Sequence, residues 1–203
     1  FNIMELIIIR HGLPLRVEKQ DNTPADPELS ETGIEQADKL SHWLENEKID
    51  AIYSSPMKRA RMTAAPLAAS KGIEAKIEPG VAEFDVDSSA YIPMEELKII
   101  DYKLWREYME GGFEAAYDME AFSKKVVTSL NGIVAKNRGK RVAVVCHGGI
   151  INIFAAHVLG IKRHLFFAPE YTSLNRFMIS GSGDKTLVCL NESGHLRGDL
   201  GQA

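Results

Sequence analysis

Two short, nearly unbroken apolar runs mark the chain, Met4 to Ile9 (MELIII) and Arg141 to Cys146 (RVAVVC). Both are too short for a core helix and suit strands buried on both faces of a parallel sheet. Each stops abruptly, the first at Arg10-His11-Gly12 and the second at His147-Gly148-Gly149. After the first, Thr32 and Glu35 have the spacing of a capping box, and Ile34, Ala37, Leu40 and Leu44 follow at helical intervals. After the second comes IINIFAAHVL, an apolar helix closed by Gly160.

Between these segments the pattern predicts a strand at Ala51-Ile52-Tyr53, then a loop at Ser54-Ser55-Pro56, then a helix to about Ser70. Pro56 suits its first turn, Gly72 its exit, and Pro66 should kink it. Another short strand is expected at Ala75 to Glu78. Helical spacing returns over residues 94–110 and 119–136, the latter through Phe122, Val126, Leu130 and Ile133. SLNRFMIS and KTLVCLN flank a Gly-Ser turn and predict a closing hairpin. Strands alternating with helices imply an α/β layered fold.

The chain has 203 residues, 45% apolar and 26% charged, with a formal charge of −4. That is the profile of one globular domain, taken here as residues 4–203, with Phe1, Asn2 and Ile3 read as a remnant ahead of the natural start at Met4. Cys146 and Cys189 lie in apolar runs and read as reduced core residues of a cytoplasmic protein. No apolar stretch is long enough to cross a bilayer, and no secretory leader is seen, so neither a membrane nor secretion is expected. Gly181 to Thr186 resembles a phosphate-binding loop only superficially, since the Gly-Lys-Thr ending and following helix are missing; CxxC, HExxH and EF-hand patterns are missing too, so neither metal nor cofactor is predicted.

The chemistry gathers where the strands end. Parallel sheets place ligands beyond the carboxyl ends of their strands. Three such ends here lead into Arg10-His11, into Ser54-Ser55 with Arg59 one turn into the next helix, and into His147. If those strands are neighbours, two imidazoles and two guanidiniums share one rim, which is a phosphate site. Arginine forks match pairs of phosphoryl oxygens, and helix N-termini after Ser55 and at Gly148-Gly149 would add N–H donors. A neutral imidazole can attack phosphorus when its other nitrogen is held as a donor. The leaving alkoxide then needs an acid, for which Glu83 is the first candidate and Asp85 and Asp87 are rivals. His42, His157, His164 and His195 read as structural or surface residues, and the Cys146 thiol should point away from His147.

Arg10-His11-Gly12, LSETGIEQA at 29–37, SSPMKRARMTA at 54–64, Glu83 after Pro79-Gly80, and CHGG at 146–149 together resemble the histidine phosphatase superfamily, also called phosphoglycerate mutase-like. The likeness implies a three-layer α/β/α fold with a mostly parallel central sheet. It also implies a metal-independent phosphomonoesterase in which His11 becomes phosphohistidine. Arg10 and Arg59 would bind phosphoryl oxygens with Gly148, His147 would support the transferring group, and Glu83 would donate the proton. The departure is at Leu13-Pro14-Leu15-Arg16, where many members carry Glu-Thr and then an Asn; Arg16 is a candidate substitute.

Residues 83–122, expected to be a substrate-specificity insertion, hold eleven acidic and three basic residues and eight of the sixteen aromatics, Phe113 among them. An acidic, aromatic wall favours a small monophosphate on a neutral, cationic or partly apolar body and disfavours bisphosphates and nucleic acid. Two alternatives stay open, a mutase-type phosphotransferase and a phosphate- or phosphoprotein-binding module without turnover. The oligomeric state, monomer or homodimer, is also open.

Overall fold

The computed structural model describes residues 3–112 and 114–197. Phe1, Asn2 and Phe113 lie outside the described residues. A six-stranded sheet runs in the order β4 (Ala75–Ile77), β3 (Ala51–Ser54), β6 (Arg141–Cys146), β1 (Met4–Arg10), β7 (Leu174–Ile179), β8 (Lys185–Glu192). Its first four strands are parallel, and the β7–β8 hairpin completes it antiparallel. The central sheet is therefore mostly parallel with helices on both faces.

The apolar runs are continuous because both faces of the sheet are covered. Alternate residues of β1 part company: Leu6 and Ile8 join the core under α5 (Met119–Lys136) and α6 (Gly148–Leu159). Ile7 and Ile9 join the core under α1 (Glu31–Trp43) and α2 (Lys58–Lys71). In β6, Val144 and Cys146 face the first core while Ala143 and Val145 face the second. The Cys146 thiol is thus packed in the core, as expected; Cys189, by contrast, is only half-buried on β8.

Register brings the strand ends level. Arg10 pairs with Cys146 and Ser54 with Val145. Pairing runs one residue further, with His11 N–H donating to the Cys146 carbonyl and Ser55 N–H to Val145, both at 2.9 Å. His11, His147 and Ser55 therefore leave adjacent strands at one edge of the sheet.

Several local expectations are corrected. The cap of α1 is Ser30, whose hydroxyl accepts the Gly33 N–H at 3.1 Å, so Thr32 sits inside the first turn. Ile34 is exposed, and the buried face of α1 runs through Gly33, Ala37 and Leu40. Pro56 lies ahead of α2 rather than in its first turn. The helix expected over 94–110 breaks into α3 (Met94–Ile100) and α4 (Tyr102–Glu107), because Asp101 leaves the helical conformation and caps α4 by accepting the Leu104 N–H. A π turn at Tyr108–Gly112 follows. A two-residue ribbon, β2 (Val17–Glu18) with β5 (Ala90–Tyr91), has no periodicity to reveal it and was not expected. No described helix is long and apolar enough to cross a membrane.

Candidate active site

The loop after β1 is held from two sides. Thr63 on α2 accepts the Gly12 N–H at 2.9 Å and donates to the Arg59 carbonyl at 2.7 Å. Ser30 donates to the Leu13 carbonyl, and the Gln36 side chain accepts the Leu13 N–H. The SETGIEQ segment is thus a cradle for the residues that follow His11. Gly12 and Gly33 meet backbone to backbone, and a Cβ on Gly12 would come within 2.6 Å of the Gly33 oxygen.

His11 is 2% exposed, and its Nδ1 lies 2.7 Å from the Gly12 carbonyl. A carbonyl only accepts, so Nδ1 carries the proton and Nε2 keeps its lone pair. Arg59 Nε donates toward that Nε2 at 3.3 Å. Burial, reinforced by the Arg59 and Arg10 charges, holds the His11 pKa well below its ordinary value, so the ring is neutral near pH 7. The ring of His147 stands 5.1 Å away, centroid to centroid, and is kept neutral by burial and the same charges. Its Nε2 pairs with Ser55 Oγ at 2.7 Å.

The guanidiniums are fixed by their surroundings. Arg10 donates to the Pro169 carbonyl at 2.6 Å and stacks over Tyr171 at 3.9 Å. Arg59, almost wholly buried, stands over Tyr91 at 4.6 Å and pairs with Asp85 at 3.3 Å. Among the described residues of the site, Arg59 Nη1 and His147 Nδ1 are buried without a hydrogen-bond partner. Such orphans are costly unless an anion or other acceptor meets them. Their place beside His11 and Arg10 suits a phosphoryl group.

Glu83 is buried and accepts N–H bonds from Gly149 at 2.9 Å and Phe84 at 3.3 Å. Burial, with the neighbouring Asp85 charge, raises its pKa to about 7, so it can be acid or base near neutrality. A Cβ on Gly149 would collide with the Glu83 carboxyl and come within 2.7 Å of the Phe84 ring. Gly149→Ala should therefore displace Glu83, and any turnover at this site that uses its carboxyl is expected to fall about 10²-fold, the cost of misplacing a reacting group by ~1 Å. Steady-state kinetics checks this, with a thermal melt to show that the protein remains folded.

Arg10, His11, Arg59, Glu83 and Gly148 all line one cavity of ≈280 Å³, and His147 is buried beside it. The residues proposed from the strand ends are thus brought together. Asp85 also lines the cavity but is engaged by Arg59, while Asp87 is exposed and away from it. Arg16 is no substitute contact, since it is bonded to Glu18 on the exposed β2 ribbon. At the helix N-termini one N–H of each is already taken, Lys58 N–H of α2 by Asp26 and Gly149 N–H of α6 by Glu83. Tyr91 and Tyr171, which hold the guanidiniums, were not foreseen; each lies beside a strand end with no motif around it. The other histidines lie away from this cavity: His42 pairs with Glu45, His164 with Glu114, His195 with Thr172, and His157 is exposed.

The sequence model of the Histidine phosphatase superfamily (branch 1) matches residues 6–193. Phosphoserine phosphatase 1 of Hydrogenobacter thermophilus is 27% identical over 176 residues, covering 82% of this chain and 81% of its own. Phosphoglycerate mutase-like protein 4 of Arabidopsis thaliana is 30% identical over 158 residues, covering 72% and 67%. Among solved structures, phosphoserine phosphatase from Entamoeba histolytica in complex with 3-phosphoglyceric acid aligns with a TM-score of 0.72 and 26% identity, over 96% of this chain and all of that one.

Proposed function

The chain belongs to the histidine phosphatase superfamily, branch 1, and from that membership we propose that it hydrolyses a small phosphate monoester through a phosphohistidine on His11. Neutral His11 attacks phosphorus with the Nε2 lone pair, its Nδ1 proton steadied by the Gly12 carbonyl. The bond to the leaving oxygen breaks in line, and protonated Glu83 gives that oxygen its proton. Glu83, now a carboxylate, takes a proton from water as the water attacks the phosphohistidine, releasing phosphate and restoring His11. Charge on the moving phosphoryl group is met by Arg10, Arg59 and His147, so the reading assigns no role to a metal.

The observation that carries this reading is a single one: a neutral imidazole with its unprotonated nitrogen among two guanidiniums, beside a buried carboxyl poised near pH 7. The phosphatase name of one relative agrees with it. The mutase-type alternative draws on the name of the other.

Incubation with p-nitrophenyl phosphate in EDTA is expected to release inorganic phosphate. Isomerisation of 3-phosphoglycerate with little release would instead favour a phosphotransferase. Phosphate binding without turnover of any ester would favour a binding module.

A further inference from the structure

The cavity at His11 continues past the phosphate rim. It adjoins a second chamber of ≈320 Å³, the two sharing Arg10, Phe84, Met94, Tyr108 and Gly148. Most of the second wall is carbon, from Met94, Met109, Leu165, Phe166, Phe167 and Pro169. This wall is anchored rather than loose. Buried Asn152 on α6 accepts the Phe166 and Phe167 N–H groups at 2.8 and 3.1 Å and donates to the Phe167 and Gly148 carbonyls at 3.0 and 2.9 Å. One side chain thus fixes the aromatic wall to the helix start that also positions Glu83.

Charge narrows what the chamber accepts. In the first chamber the described cations are Arg10 and Arg59, which the hydrolase reading assigns to the phosphoryl group. The second adds only Arg163, which is exposed, against Glu95 and Glu114. Glu95 accepts from the Tyr171 hydroxyl, and Glu114 accepts the Leu165 N–H at 3.0 Å, so both carboxylates are held in place. A substrate with a carboxylate or second phosphate would bring that charge toward Glu95, Glu114 and Asp85, with one exposed guanidinium to answer it.

We infer that the protein selects monoesters whose only anionic group is the phosphate and whose alcohol is extended and apolar, an alkyl or arylalkyl chain running past Phe84 and Met94 toward Phe166. This specificity rests on the hydrolase reading above and goes beyond it by naming the substrate class. Burying one methylene contributes about 0.8 kcal/mol, equivalent to nearly fourfold in kcat/KM.

The test is a series of n-alkyl phosphates from methyl to hexyl, which share nearly the same leaving-group acidity, with phosphoserine and 3-phosphoglycerate beside them. Released phosphate is measured. kcat/KM should rise about three- to fourfold per methylene over the first few carbons, and hexyl phosphate should exceed both carboxylated esters by at least about tenfold. Phe166→Ala and Met94→Ala should each lower the hexyl-to-methyl ratio by about threefold or more. Turnover with a flat or inverted chain-length series, or preference for the carboxylated esters, overturns this inference alone. Release from no ester, p-nitrophenyl phosphate included, overturns the hydrolase reading and the inference with it.

Discussion

Replacing His11 by alanine is expected to lower phosphate release by about 10⁴-fold or more, because the proposed mechanism makes it the nucleophile and leaves no other group to take over. Binding should survive. Arg10, Arg59 and His147 remain, and the Thr63, Ser30 and Gln36 bonds that shape the loop do not pass through the His11 side chain. Inorganic phosphate should thus bind the variant within about tenfold of the parent, measured by calorimetry, while turnover is lost. This split is the informative result. A purely structural histidine would lose binding and stability together, and a spectator would lose neither.

The second large effect belongs to Glu83. Glu83→Gln should cost about 10² to 10⁴ in kcat/KM for an alkyl monoester, whose leaving oxygen needs a proton. For p-nitrophenyl phosphate the loss should be smaller, since that leaving group departs as an anion. In the proposed mechanism the parent needs Glu83 protonated in the first step, so its advantage over the variant should be constant well below pH 7 and shrink about tenfold per unit above it. Taking the ratio of the two proteins cancels ionisation of the substrate.

Stability gives an independent reading of the same carboxyl. Its folded pKa, about 7, lies above the ordinary 4.5. Between those values the unfolded chain gives up a proton that the folded chain keeps, so stability falls as pH rises through the window and levels above about 7. The full effect is of order 3 kcal/mol. Glu83→Gln removes it, so relative to the parent the variant should gain denaturant resistance between pH 4 and pH 8.

Much of this architecture was legible from local pattern. The β1 and β6 runs are continuous because each strand feeds two cores, and the histidine after each run marks the strand's carboxyl end. The site residues could be named because topology sends such ends to one edge. What stayed hidden depends on partners distant in sequence. Asp26 and Glu83 each take one N–H at the N-termini of α2 and α6, where backbone donors for the phosphoryl group were expected. The stacking of Tyr171 on Arg10 and Tyr91 on Arg59 depends on the β2–β5 ribbon and the turn before β7, neither of which has a sequence period. Asp101 broke a helix whose apolar spacing carried on across it, because its carboxylate caps the next turn. Ser30 rather than Thr32 caps α1, and its hydroxyl also donates to the Leu13 carbonyl, a partner 17 residues away.

The covalent intermediate is the point on which the account turns. Protein mixed with a monoester for less than one turnover, quenched in alkali where phosphohistidine persists, and digested for mass spectrometry should carry one phosphoryl group on the peptide that contains His11. The signal should be absent from His11→Ala and should accumulate in Glu83→Ala, which lacks the base for the second step, when p-nitrophenyl phosphate is the donor. Turnover with no phosphorylated peptide at any time, or a phosphoryl group on a residue other than His11, would contradict the account.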